Sequence, residues 1–246
     1  TRVKRLATEV AEEYRRYDFD DRLELLDTRP RLYRTVNYLG DMPGYFYGAL
    51  APSSGYVSRF DLAPYYNGFY VAIPARTNPE QVTTAIHHDK MFDIFHEYQQ
   101  WIDVMGVPTV GDLNRRVMEG DSSELIQIAE AFHENKIAAI ARAIAEANSE
   151  RGVRMALISG PSSSGKTTFS KRLGVQLRVL GLDPVLIALD DYFVDRDKTP
   201  LDESGKPDYE ALEAIDLATL NDHLRQLAEG RSVEIPRYDF ISGRRQ

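Results

Sequence analysis

No cysteine occurs among the 246 residues. That excludes a disulfide framework, a thiolate metal site and a cysteine nucleophile, and it fits a reducing cytoplasm. Long apolar runs are missing too: nothing approaches the ~18 uninterrupted apolar residues of a membrane-spanning helix. The N-terminus has no signal-peptide layout. Basic charge is sparse, with 30 Lys and Arg against 38 Asp and Glu and a net charge of −8. The basic residues are scattered, and only short groups such as Arg244-Arg245 occur. A nucleic-acid surface needs a concentrated basic patch, so a nucleic-acid partner is not expected. Internal repeats and low-complexity tracts are absent.

What is present is ordinary for a globular protein, with 43% apolar and 28% charged residues. The length allows one large or two modest domains. Residues 1–34 are charged, with helical signals near residues 3–14 and 23–26. Residues 45–74 are rich in Tyr, Phe, Gly and Pro and predict short strands joined by turns, among them a strand over residues 68–74. Met91, Phe92, Phe95, Tyr98 and Trp101 recur at three- and four-residue steps, which predicts an amphipathic helix facing a core. Asp121-Ser-Ser-Glu124 is a capping-box-like start. After it Leu125, Ile128, Phe132, Ile137, Ile140 and Ile144 keep helical spacing to about Asn148. The predicted organisation is an α+β domain over residues 1–120, a linking helix over 121–151, and an α/β domain over 152–246.

The second half opens on an apolar run, residues 153–159, of the length of a buried parallel strand. Gly160-Pro-Ser-Ser-Ser-Gly-Lys-Thr167 follows it and matches the P-loop pattern G-x-x-x-x-G-K-[ST]. Its glycines let the backbone curl so that successive N–H groups face phosphate oxygens, and the next helix adds its positive end. Gly160, Ser162, Ser163, Ser164, Gly165, Lys166, Thr167 and Thr168 are the expected nucleotide-binding residues. Lys166 would reach the β- and γ-phosphates of ATP, and the Thr167 hydroxyl would ligate Mg²⁺. Phe169, Leu173, Leu177 and Leu180 form a helical stripe that Gly181 ends.

Residues 184–189 predict the next strand, which closes on Asp190-Asp191. The helix carries the chain ~20 Å from the phosphates at ~1.5 Å per residue, and a strand of about seven residues brings it back. Asp190 is thereby expected at the carboxyl edge of the sheet, where open α/β sheets bind ligands. A carboxylate there can accept the proton of an attacking hydroxyl or hold Mg²⁺. A cap or turn role is the competing reading for both aspartates.

Three motifs in order, Gly160 to Thr168, Leu189-Asp-Asp-Tyr-Phe193 and Ile235-Pro-Arg-Tyr-Asp-Phe240, resemble the phosphoribulokinase/uridine kinase family. The resemblance covers about residues 153–245. It implies a P-loop NTPase parallel sheet with flanking helices and a phosphotransfer from ATP, with Mg²⁺, to a nucleoside 5′-hydroxyl. It implies that Asp190 and Lys166 are catalytic, with Asp190 activating the hydroxyl. It sets Asp208 and Glu210 in competition for the ribose hydroxyls. Tyr192, Tyr238 and Phe240 fall on the substrate side, the last two lining the base pocket. One position departs: where the family usually has a base-contacting histidine, this chain has Gly243. A pentose phosphate or pantothenate therefore stays open as acceptor, as does a non-catalytic nucleotide-binding regulatory role.

Tyr45-Phe-Tyr-Gly48, Ser53-Ser-Gly-Tyr56 and the 91–101 helix resemble the middle of long bacterial uridine-kinase-like proteins, where a threonyl-tRNA-synthetase-like region precedes the kinase. The His-x-x-x-His pair of the synthetase editing site is missing, so His87 and His88 are expected on a loop or helix surface and no editing chemistry is expected. The Thr1 start, the abrupt Gly243-Arg-Arg-Gln246 end, and the lack of a lid or second acidic strand-end motif predict a fragment whose kinase domain is incomplete.

Overall fold

The computed structural model describes residues 1–46, 48–83, 86–161 and 163–246. The chain divides into two compact units, Thr1–Glu130 and Ala131–Gln246.

The first unit opens with β1 (Arg2–Leu6), α1 (Ala7–Arg16), α2 (Asp20–Asp27), β2 (Tyr33–Leu39) and β3 (Met42–Gly44). The helical signal near residue 3 resolves into a strand first, because residues 2–6 pair antiparallel with β2, and the helix starts only at Ala7. β2 is the central strand, with β3 on its other edge. Val10 and Tyr14 lie about one turn apart on α1 and bury against Val36 of β2, with Phe19, Leu23, Leu26 and Tyr38 around them.

Two hairpins follow, β4 (Asp61–Tyr65) with β5 (Gly68–Ala72), and β6 (Pro74–Ala75) with β7 (Asn78–Val82). They fulfil the expectation of short strands and turns. The strand expected over residues 68–74 stops at Ala72. α3 (Asp89–Met105) meets the first hairpin through aromatic contacts. Tyr66 stacks on Phe92 with ring centroids 3.8 Å apart, and its hydroxyl donates to the Asp89 carboxylate. That bond pushes the Tyr66 pKa up to about 12. Trp101 is half-buried, but Met91, Phe95 and Tyr98 of the predicted core-facing stripe are each more than half exposed. Helical periodicity marks an amphipathic face without specifying what packs on it.

α4 (Val110–Glu119) is fixed by a capping box in which the Thr109 hydroxyl accepts from the Asp112 N–H and the Asp112 carboxylate accepts from the Thr109 N–H. It packs on α2 at Gly111, where a Cβ would lie 2.8 Å from Glu24 Cγ. α5 (Ser122–Arg151) is the long helix predicted over 121–151.

In the second unit α5 packs on α6 (Lys166–Val179). Ile137 and Ala141 bury against Leu173 and Leu177, with Ile140, Ile144, Phe169 and Leu182 around them. Burial of a leucine of this kind contributes about 1.5–3 kcal/mol. Glu134 of α5 accepts from Arg172 Nε at 3.0 Å at the edge of this seam. α6 stops as expected at Gly181, whose φ of +83° lets the Leu182 N–H reach back to the Leu177 carbonyl at 3.0 Å.

The parallel sheet expected here does not form among the described residues. Residues 153–159 and 184–188 carry no ladder hydrogen bonds, and Leu157 is 87% exposed. The second segment instead lies on α6 at Gly174, where a Cβ would stand 3.6 Å from Leu186 Cδ2. Single 3₁₀ turns follow at Leu189–Tyr192, Arg196–Lys198 and Leu212–Ala214. Then come α7 (Leu217–Ala228) and a short antiparallel hairpin, β8 (Tyr238–Asp239) with β9 (Arg244–Arg245). Among the described residues no helix is long and apolar enough to cross a membrane.

Candidate phosphate and acceptor site

The phosphate loop takes its shape from two left-handed residues, Ser163 at φ +59° and Gly165 at φ +84°. Gly160 lies close under the loop for a different reason, since a Cβ there would meet Ser164 Oγ at 2.9 Å and make that hydroxyl turn away. α6 begins at Lys166 without any side-chain cap on its N-terminal N–H groups. An uncapped helix start following a curled loop is a ready-made anion site, because free N–H groups and the helix dipole act together. Lys166 is drawn across this loop, its ammonium donating to the Gly160 carbonyl at 2.8 Å and the Pro161 carbonyl at 2.9 Å. Thr167 and Thr168 sit exposed in the first turn of α6. Ser162 lies outside the described residues. The donor set fits a nucleotide triphosphate: a cradle that a side chain on Gly160 would fill, an ammonium beside it, and a hydroxyl at Thr167 suited to a hard cation.

The two adjacent aspartates do different work. Asp191 Oδ1 accepts from the Tyr238 backbone N–H at 3.3 Å, which ties the Leu189–Tyr192 turn to β8. Asp190 is exposed and its carboxylate has no hydrogen bond among the described residues. No hydrogen bond or ion pair joins Asp190 to Lys166 or Thr167 among the described residues. Tyr192 is fully buried, with its hydroxyl 3.0 Å from His223 Nδ1. It thus packs the turn that presents Asp190 and does not face outward as a substrate contact would.

Around that turn the second unit gathers an aromatic cluster. Phe193 and Tyr238 are buried with Ala214, and Tyr209 and Ile215 pack on them. Ring centroids lie 5.1 Å apart for Phe193 and Tyr209, 5.6 Å for Phe193 and Tyr238, and 5.1 Å for Tyr238 and Phe240. Phe240 keeps 57% of its surface exposed. The expected pair Tyr238 and Phe240 is therefore brought together, one ring buried and the other offering a face. The Tyr238 hydroxyl is buried and has no hydrogen-bond partner among the described residues. Burial pushes its pKa up, while Arg196 nearby pulls the other way.

Asp208 and Glu210 also separate in role. Asp208 Oδ1 accepts from the Glu210 N–H at 2.9 Å, and the Asp208 N–H bonds the Pro200 carbonyl at 2.7 Å. Glu210 is exposed.

Two residues that sequence reasoning passed over organise this end of the unit. Asp216 caps α7 through Thr219, whose N–H and hydroxyl it accepts at 3.1 and 2.7 Å, and it accepts from Arg245 Nη1 at 2.8 Å. These bonds lower its pKa to about 2, the Thr219 backbone bond contributing most. Arg196 donates from Nε to the Tyr209 hydroxyl at 3.2 Å and from Nη2 to the Phe240 carbonyl at 2.6 Å. Tyr209 is lowered in pKa by that guanidinium. No motif marks Arg196, whose partners lie 13 and 44 positions away, and the Arg245 bond of Asp216 spans 29, although its capping of Thr219 is local.

The chain is similar to the uridine kinase of Shewanella amazonensis, 41% identical over 85 residues covering 34% of this chain and 40% of that protein. It resembles those of Staphylococcus aureus, 35% identical over 35% of this chain and 40% of the relative, and Halobacterium salinarum, 32% identical over 34% and 36%. The chain thus spans about 40% of the length of the curated relatives it matches. No solved structure matches it significantly. Residues 156–246, which hold the loop, Asp190 and the aromatic cluster, match the model of the phosphoribulokinase/uridine kinase family.

Proposed function

We propose that the second unit carries the nucleotide and acceptor sites of a kinase that moves the γ-phosphoryl group of ATP to the 5′-hydroxyl of a nucleoside. The observation that carries the proposal is one compact unit holding both an uncapped, lysine-crossed phosphate loop and an aromatic cluster with an open face. On this reading Lys166 leaves the Gly160 and Pro161 carbonyls to bind the β- and γ-phosphates, while the α6 N–H groups hold the oxygens between which charge shifts. Mg²⁺, when bound, would neutralise phosphate charge, and Thr167 and Asp190 are the residues that would offer it hard oxygen donors. Asp190 orients the acceptor hydroxyl and takes its proton. Phe240 stacks the base, Tyr238 supports that ring, and Asp208 or Glu210 holds the ribose.

The same proposal keeps domain boundaries at residues 120 and 151, a first domain over residues 1–120 that resembles a synthetase accessory region, and a cytoplasmic location. The boundaries rest on the helical pattern that opens at Asp121-Ser-Ser-Glu124, the location on the lack of cysteine, and the reading of the first region on the sequence resemblance.

ADP release by the full encoded protein, measured across uridine, cytidine, purine nucleosides, pentose phosphates and pantothenate, tests it directly. The expected outcome is turnover with a nucleoside, lost by about 10²–10⁴-fold in Asp190→Asn. Lys166→Ala should lose ATP binding with folding intact. Unchanged turnover in Asp190→Asn would remove the base assignment. ATP binding without release of ADP for any acceptor would establish a nucleotide switch instead.

A further inference from the structure

Gly243 and Arg196 compete for one volume. Gly243 holds φ +69°, and a Cβ built on it would lie 2.8 Å from Arg196 Cζ and Nε and 2.9 Å from Arg196 Cβ. A side chain at 243 and Arg196 in its present place are therefore mutually exclusive. The Arg196 backbone joins the same turn, its N–H donating to the Gly243 carbonyl at 2.9 Å, and Gly243 itself bonds Asp239 at 2.7 Å. With Nε on the Tyr209 hydroxyl and Nη2 on the Phe240 backbone carbonyl, the guanidinium is pinned at the residue whose ring stays open, and it lies close enough to the buried Tyr238 hydroxyl to act on it.

From this arrangement we infer that Arg196 occupies the base edge that Gly243 leaves clear, and selects nucleosides whose base presents a carbonyl oxygen there over those presenting an amino group. The inference rests on the nucleoside reading of the aromatic cluster. The chemistry follows from the group. A guanidinium has five N–H donors and no acceptor, and among the described residues two of those donors are spent, on the Tyr209 hydroxyl and the Phe240 carbonyl. The remaining donors reward an oxygen on a base stacked against Phe240. An exocyclic amino group would set donors against donors and leave both without partners, and loss of that bond costs roughly tenfold in binding. Being held at two points, the fork loses little freedom when it makes a third bond. Arg196 acts here on substrate directly, as a specificity residue, and takes no part in moving the phosphoryl group.

The experiment compares kcat/KM for two matched pairs, uridine against cytidine and inosine against adenosine. The expected wild-type preference is about tenfold or more for the oxo member of whichever pair is used. Arg196→Gln should bring that ratio close to one, mainly through KM, with kcat for the better substrate largely kept. Gly243→Asn reaches the same end independently, because Asn tolerates a left-handed backbone and its Cβ must displace Arg196. Circular dichroism and a melting curve confirm that each variant is folded. A wild-type preference for amino bases overturns the inference, as does an unchanged ratio in both variants, and in either case the kinase reading stands. Absence of turnover with every nucleoside overturns that reading and the selection together.

Discussion

Asp208 and Glu210 stand two residues apart with the same charge, yet their surroundings assign them different tasks. The Asp208 carboxylate accepts the Glu210 N–H and its own N–H is spent on Pro200, so it holds the turn that presents Tyr209. A bond of that kind contributes about 0.5–1.5 kcal/mol. Glu210 projects from that turn into solvent, and on the proposed nucleoside kinase reading it is the carboxylate that would meet the ribose. Glu210→Gln should therefore raise the acceptor KM about tenfold with the melting temperature unchanged. Asp208→Ala should lower the melting temperature by a few degrees with a smaller change in KM. The reverse pattern in steady-state kinetics and melting curves would exchange the two roles. The contrast also explains how far the site could be read from the chain. Gly160, Gly165 and Lys166 are legible because their work is local, a curl of eight residues and one helix start. Arg196 is not, because its position depends on Tyr209, Phe240 and Gly243, and no spacing rule joins an arginine to partners that far along the sequence. Asp190 and Asp191 look alike in sequence, and only the Tyr238 bond tells the tie from the free carboxylate.

Elements in the second unit are held less by ladders than by caps. Asp216 joins three of them. Its side chain caps α7, its backbone N–H bonds the Tyr192 carbonyl at 2.8 Å, and it accepts from Arg245 of β9. Its folded pKa of about 2 lies below the usual carboxylate value of roughly 3.9. A depressed carboxylate adds stability that is present above about pH 4 and lost as pH falls toward 2. With the side chain still partly open to solvent, about 1–2 kcal/mol is at stake. Asp216→Asn should cost that amount at pH 7 and flatten the acid limb of the stability curve, measured by urea unfolding between pH 2.5 and 7. An acid limb as steep as the wild type would place the acid sensitivity elsewhere. The helices α3, α5 and α6 were legible because a cap signal, glycine stops and 3.6-residue periodicity are written along the chain. The strands expected over residues 153–159 and 184–189 were not, because an apolar run states only that a segment is fit to be buried. Whether it joins a ladder depends on partners distant in sequence, and among the described residues neither segment has one.

The whole molecule poses a question of cooperativity. Each compact unit has its own buried cluster, Val10 with Tyr14 and Val36 in one, Ile137 with Ala141, Leu173 and Leu177 in the other. One continuous helix, α5, contributes residues to both units. Separate cores favour separate unfolding transitions, whereas a shared helix favours a single one. ATP with Mg²⁺ distinguishes these cases, because it would bind only the unit that carries the phosphate loop. At a concentration one hundred times Kd, binding to the folded form alone adds about 2.7 kcal/mol. For a domain of this size that is a rise of roughly 10 °C in the midpoint. Calorimetry should show two transitions, with ATP and Mg²⁺ moving one and leaving the other in place. Lys166→Ala should abolish the movement while both transitions remain. A single transition that shifts as a whole would mean that α5 couples the units into one cooperative block. Binding at the phosphate loop would then stabilise β1, β2 and their helices too, in spite of their separate core.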